Sequence, residues 1–303
     1  MKAPPFRAAF LAPKYWPMWL GIGLLRLLAL LPVGTLVAMG EGLGGFVGRV
    51  WKKRRHVVRT NLKLCFPALD EGALEQATDA HFRAIGAGIF EACLAWWASD
   101  ERLRAHGEVV GLEHLQKAMA DGSGVLLLTG HFTTMELGAR YLRMAGPPFH
   151  AMYRPAKNPL VDYFMHRWRE SKAGLPALPR DDLRGLVKAL RAGRAIWYGP
   201  DQTVERQSMF VPFFGVPALT VTATARLSQM GRAKVVPYFP ARVNGRYVVT
   251  VLPALENFPV GDEAADARRI NEVIEQGIAL ARDQYFWVHR KFKWRPEGMP
   301  GLY

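Results

Sequence analysis

The chain has 303 residues, half of them hydrophobic and 22% charged, and a formal net charge of +14. At that length about three-quarters of the unfolded surface can be buried without disulfide or metal staples. The composition excludes a disordered chain, and the scattered aliphatic residues exclude a polytopic membrane protein. The excess positive charge selects acidic partners: nucleic acid, an anionic membrane or acidic substrates. Cys65 and Cys93 lie far apart with no Cys-x-x-Cys, so neither a disulfide framework nor a zinc site is legible, and a reducing compartment is preferred.

The first element is the apolar run 18–39, interrupted by Arg26 and Pro32. Its length just reaches across a bilayer core. The central arginine costs roughly 2.5–3.5 kcal/mol on an insertion scale and each leucine returns roughly 0.3–0.6. The run therefore stands at the line between spanning and lying in the interface. Tyr15, Trp16 and Trp19 precede it as an aromatic collar, and Arg49, Lys52, Lys53, Arg54, Arg55, Arg59 and Lys63 follow it with no acid between 49 and 63. Positive charge on that side keeps the rest of the chain cytoplasmic and provides a membrane-surface patch. The rival readings are a buried helix and a signal peptide; the latter lacks a good n-region and a small-x-small cleavage site. Residues 1–45 are assigned as a membrane anchor segment and 46–303 as the catalytic domain.

Residues 50–107 read as helical. From about 108 strands and helices alternate. A buried strand at 125–129 is followed by a helix at 136–144 and a strand at 149–153. Asn158-Pro159 opens a helix to about 169, and Asp182 caps another that ends at Gly193. A strand at 195–198, a helix at 219–230, a strand at 234–239, a tight turn at Asn244-Gly245 and a helix at 265–283 complete the pattern. Such alternation predicts an α/β layered domain with a mostly parallel sheet and an antiparallel hairpin at one side.

In an open α/β sheet, ligands gather beyond the carboxyl ends of strands. His131 follows the strand at 125–129, and Glu136 comes five residues later near a helix start. A loop and one helical turn bring that carboxylate beside the imidazole, where it fixes the tautomer while the imidazole takes a hydroxyl proton. No Gly-x-Ser-x-Gly nucleophile is close, so direct general-base transfer fits better than an acyl-enzyme. On its own the pair is a weak signal and reads better as a satisfied loop histidine and its neighbour.

The chain resembles the late acyltransferases of lipid A biosynthesis, the lauroyl/myristoyl transferases of the lysophospholipid acyltransferase superfamily. The resemblance rests on GHFTTMELGAR at 130–140, YRPAKNPLVDYFMHRWR at 153–169, WYGPDQ at 197–202, FVPFFG at 210–215, VVPYFPAR at 235–242 and QYFWVHRKFKWRPEGMP at 284–300. It implies a glycerolipid-acyltransferase type of sheet and places the family's His-x4-Asp/Glu signature on His131 and Glu136. It also implies acyl transfer, without metal or cofactor, from acyl carrier protein to a hydroxyl of a Kdo-bearing, phosphorylated lipid A precursor. The place would be the cytoplasmic face of a Gram-negative inner membrane. Carrier protein, precursor and membrane surface are all acidic, in keeping with the basic chain. Glutamate at 136 leans the resemblance towards the lauroyl branch.

By the same resemblance Arg169 is an active-site arginine suited to phosphate or the thioester oxyanion, and Asp201 a site residue that orients Arg169. Arg154 and Lys157 are expected to bind phosphate. The basic, aromatic stretch 287–295 is expected to meet headgroups or the carrier protein. His81, His106, His114, His150 and His166 are read as structural. Two alternatives stand beside this reading: an acyltransferase of the same superfamily with a glycerolipid acceptor, and a non-catalytic basic protein that binds membrane or nucleic acid. No single-strand stacking motif supports nucleic acid as a partner.

Overall fold

A computed structural model describes residues 5–203, 205 and 207–303; the first four residues of the expected anchor lie outside the described residues. The chain begins with helices α1 (Trp16–Leu28), α2 (Val33–Val50), α3 (Lys52–Cys65), α4 (Glu71–Trp97) and α5 (Asp100–Arg104). The alternating part runs β1 (Gly107–Val110), α6 (Leu112–Met119), β2 (Gly124–Leu128), α7 (Met135–Ala145), β3 (Phe149–Tyr153), α8 (Pro159–Ala173), β4 (Leu178–Pro179), α9 (Leu183–Arg191) and β5 (Ala195–Tyr198). Then follow β6 (Ser208–Phe213), β7 (Val216–Val221), α10 (Ala223–Gly231), β8 (Ala233–Val243), β9 (Arg246–Val251) and α11 (Glu263–Leu280).

Seven strands form one sheet in the order β1-β9-β8-β2-β5-β3-β4, while β6 and β7 pair as a separate hairpin. Within the large sheet every pairing is parallel except β8 with β9. The Asn244-Gly245 turn, with both φ values positive, makes that exception. Every residue of β2 is buried, as a parallel strand covered on both faces requires. Leu126 and Leu128 pack with Leu186 and Leu190 of α9 and Ile274 of α11, whereas Val125 and Leu127 pack with Leu137 and Leu142 of α7 and Leu94 of α4.

The amino-terminal run does not form the single apolar anchoring helix expected of it. It breaks into α1 and α2 at Pro32, which is the N-cap of α2 and disfavours helix in the residue before it. Thirteen residues of α1 reach only about 20 Å, short of a ~30 Å hydrocarbon core. Among the described residues no helix is long and apolar enough to cross a membrane. The boundary at 45/46 falls inside α2, and Val33 and Leu36 belong to the same core as β2 and α7. Contact between α2 and α4 is close because glycines line it: a Cβ on Gly44 would stand 2.1 Å from the Phe82 carbonyl oxygen, and one on Gly86 2.0 Å from that of Gly40.

Three smaller differences have local causes. The helix expected from 219 begins at Ala223, because the β-branched stretch through Val221 pairs with β6. The helical region read to 107 ends at Arg104, where β1 soon adds to the sheet edge. The basic run 49–63 is consumed in part within the fold: Arg54 donates to the Val288 carbonyl, Arg55 pairs with Glu75 and Asp79, and Arg59 pairs with Glu71 and Glu75, while Arg49, Lys52 and Lys53 stay exposed.

Candidate active site

Strands β2 and β5 are neighbours, with Leu128 opposite Tyr198. Their carboxyl ends therefore deliver His131 and Asp201 to the same crevice. His131 Nδ1 donates to Asp201 Oδ1 at 2.5 Å, and the His131 backbone N–H donates to Asp201 Oδ2 at 2.8 Å. One carboxylate thus holds both the ring and the main chain of the histidine. This arrangement fixes the tautomer and leaves Nε2 with its lone pair.

The dyad is braced from behind by the carboxyl-terminal segment. Phe286 N–H donates to the His131 carbonyl at 2.9 Å, and Thr133 N–H to the Gln284 carbonyl at 2.8 Å. Lys291, only 3% exposed, donates from Nζ to the Asp201 carbonyl at 2.8 Å and lies 4.6 Å from the centre of the Phe213 ring. Trp287 and Phe292 are fully buried. The stretch 287–295, expected on a headgroup or carrier surface, is instead in large part core and site support. The exposed members Arg290 and Lys293 remain outside.

Burial works against a charged His131, but the charge and hydrogen bond of Asp201 outweigh it and the imidazole pKa is raised. Burial alone would raise the Asp201 pKa; the adjoining imidazole, the backbone N–H and Lys291 prevail and hold it well below the usual carboxylate range. Burial lowers the Lys291 pKa, opposed by the charge of Asp201. Burial also holds His289 down at about 4.

Glu136 occupies the first turn of α7 but does not hold the histidine. Its Oε1 accepts from Arg169 Nε at 3.0 Å and Nη2 at 2.5 Å, and Oε2 lies 3.5 Å from Trp96 Nε1. The expected partners are therefore exchanged: Asp201 orients His131, and Glu136 orients Arg169. The reason is helical geometry, since the start of α7 turns residue 136 towards α8 and α4. The two pairs remain in electrical communication, because the Arg169 charge opposes protonation of His131.

Glu136 and Arg169 border an apolar pocket of about 40 Å³ whose walls include Trp96, Ala139, Phe149, Trp168 and Trp197. Trp96 and Trp168 stack at 4.2 Å between centroids, and Trp197 meets the His131 ring edge-on at 6.0 Å. These tryptophans and Lys291 escaped sequence reasoning as site residues; Trp168, Trp197 and Lys291 were marked only by their place inside the matched blocks, and Trp96 on α4 lies in none of them. Arg154 and Lys157 are exposed on the loop after β3, without an acidic partner among the described residues. No hydrogen bond or ion pair among the described residues joins them to His131. His81 is buried with Nδ1 2.8 Å from the Asp283 carbonyl oxygen, as a structural histidine would be.

The bacterial lipid A biosynthesis acyltransferase family matches residues 3–294. The chain is 40% identical over 304 residues to the lipid A biosynthesis lauroyltransferase of Escherichia coli K12, covering 99% of each chain. It is 36% identical to the lipid A biosynthesis palmitoleoyltransferase of the same organism, covering 98% of each. It also matches the crystal structure of the 1-acyl-sn-glycerophosphate acyltransferase PlsC from Thermotoga maritima, with TM-score 0.40, 12% identity, and coverage of 81% of this chain and 94% of that one.

Proposed function

The chain belongs to the bacterial lipid A biosynthesis acyltransferases, and on that premise we propose that it moves a fatty acyl chain, lauroyl by preference, from an acyl carrier protein thioester to a hydroxyl of a Kdo-bearing lipid A precursor. The observation that carries the chemistry is the His131–Asp201 dyad at the carboxyl ends of adjacent strands. His131 Nε2 takes the acceptor hydroxyl proton while its Nδ1–H stays on Asp201. The acceptor oxygen attacks the thioester carbonyl carbon. As the tetrahedral adduct collapses, the C–S bond breaks and the departing thiolate takes the proton from the imidazolium, which regenerates the neutral base.

Arg169, held by Glu136, offers its remaining N–H groups to the developing oxyanion or to a substrate phosphate. The tryptophan-walled pocket beside it is apolar and, at about 40 Å³, suits only the first carbons of the acyl chain next to the thioester, and the exposed Arg154 and Lys157 suit phosphates on the acceptor. The lauroyl preference draws support from the 40% identical lauroyltransferase and from Glu136.

A competition assay tests the whole reading: the purified enzyme is offered lauroyl, myristoyl and palmitoyl carrier-protein thioesters with the Kdo-bearing precursor, and separately with a lysophospholipid. The expected result is preferred lauroyl transfer to the precursor. Preferred transfer to the lysophospholipid would replace the acceptor assignment, and preference for a longer donor would replace the lauroyl assignment.

The place of action in this reading is the cytoplasmic face of the inner membrane, with α1 and α2 lying in the interface. Leu20 is 76% exposed and Leu24 and Leu27 share its face of α1; Phe46 is 62% exposed, between Leu43 and Val50 on α2. Exposed Arg49, Lys52 and Lys53 adjoin that face and match an anionic headgroup layer. Deleting 1–45 would also remove Val33 and Leu36 from the core, so surface substitutions make the better test. Leu24→Glu with Phe46→Glu should weaken flotation with anionic vesicles roughly tenfold or more, given the burial worth of each side chain. The melting temperature should stay close to wild type. Undiminished flotation would remove α1 and α2 from the membrane contact.

A further inference from the structure

Helix α9 carries a surface that the chemistry above does not use. Leu186 and Leu190 point into the core, and Asp182 caps the helix by accepting from Gly185 N–H at 3.0 Å. The outward face has Arg184, Lys188 and Arg191 at spacings of four and three, which places the cations in one stripe. Beside it Leu183, 40% exposed, and Val187 form a short apolar stripe. Met230 of α10 closes the other side, and its carbonyl accepts from Arg191 Nε at 2.9 Å. Together with Ala192 these six side chains line a shallow groove of about 660 Å³.

The charge in this groove is unbalanced. No acid lies between 183 and 194, and Arg184 and Lys188 have no ion-pair partner among the described residues. Like charges four apart destabilise a helix by a few tenths of a kcal/mol, roughly, so the stripe is not there for the stability of α9. The location selects the kind of partner. Leu186 and Leu190 pack on the side of β2 that carries Leu126 and Leu128, whereas Val33 and Leu36 of α2 share a core with Val125 and Leu127 on its other side. With the apolar amino-terminal helices in the interface, a groove across the sheet from them points away from the bilayer and is open to a soluble partner. Its Leu183 end begins four residues after β4, on the side of the sheet formed by the carboxyl ends of the parallel strands, where His131 and Asp201 also sit.

We propose that this groove docks an acidic amphipathic helix of the carrier protein that delivers the acyl thioester, a proposal that rests on the carrier-protein reading of the donor. Acidic side chains of that helix meet Arg184, Lys188 and Arg191, and one of its apolar side chains enters between Leu183, Val187 and Met230. The thioester arm then passes the edge formed by β3 and β4 to reach His131.

The test compares two donors on the full-length enzyme: lauroyl carrier protein and lauroyl pantetheine, which has the thioester but no acidic protein. Wild type should prefer the carrier-protein donor. The double variant Arg184→Glu with Lys188→Glu should lose about tenfold in kcat/KM for the carrier-protein donor, chiefly through KM, as reversal of steering charges does. Turnover of the pantetheine donor should stay close to wild type, which also reports that the variant is folded. Equal losses with both donors would overturn the docking role, as would an intact carrier-protein preference in the variant. A variant that loses vesicle binding while keeping that preference would reassign the groove to the membrane. Should wild type itself show no preference for the carrier-protein donor, the donor reading falls first and the groove assignment with it.

Discussion

Asp201 and Glu136 are both carboxylates bonded to a basic side chain, and they stand on opposite sides of the same site. Asp201 is 3% exposed, accepts from the ring and main chain of His131, and has a lysine buried against its own carbonyl. Glu136 is half-buried, turned to a guanidinium and bordered by a tryptophan-walled pocket. The difference separates two tasks. A carboxylate enclosed with an imidazole maintains one tautomer and stabilises the imidazolium that forms when a proton arrives. A carboxylate clamped to arginine fixes the direction of a permanent charge, which suits an oxyanion or phosphate.

The largest effect should come from the first pair. His131→Ala should lower turnover by roughly 10²–10⁴, the usual worth of a positioned base, with the melting temperature nearly unchanged. Asp201→Asn should approach that loss, and the double variant should be little worse than His131→Ala, because the two act as a unit. A His131→Ala enzyme with near-normal transfer would sink the mechanism.

The second pair should follow. Arg169→Met should cost roughly 10²–10³ in kcat, the loss typical of an oxyanion donor, and Glu136→Gln less. A double-mutant cycle between 136 and 169 should show strong coupling, whereas one between 131 and 136 should be close to additive. Strong coupling between His131 and Glu136 would restore the single unit that their spacing suggests and dissolve the division of labour.

Smaller shifts should appear in pH profiles. His131 must be neutral to accept a proton, so kcat/KM should rise with pH through its raised pKa. Asp201→Asn removes the groups that raise that pKa, so the residual activity should show its acid limb at lower pH. Lys291→Met removes a charge that lowers it, so its acid limb should move to higher pH. An unmoved limb in both variants would show that the titration controlling activity belongs to another group.

Much of this molecule was legible in one dimension. The buried run at β2, the Asn158 and Asp182 caps and the Asn244-Gly245 turn are local signals, because they depend on neighbours a few residues away. His131 and Asp201 each trail a strand, which is also a local signal and one that places both at the carboxyl ends where ligands gather. Less legible was the fate of charge. The basic stretch 287–295 read as a surface, yet Lys291 is buried, and the run 49–63 read as a patch, yet Arg55 and Arg59 are paired with acids on α4. A charged residue announces its type in sequence but not its partner, which for Arg55, Arg59 and Lys291 lies 12 to 90 residues away.

The sequence by itself determined most of the elements that form and that they layer as α/β, and it singled out His131, Glu136, Arg169 and Asp201, which the structure brings together as two pairs. Only the tertiary structure decided which carboxylate serves which base, because strand adjacency brings residue 201 to residue 131 while the first turn of α7 carries residue 136 away. It likewise decided that the apolar run 18–39 bends at Pro32 into two helices. Hydropathy sums over a window without regard to direction, whereas the close glycine contact of α2 with α4 fixes one face inward and leaves the other bare.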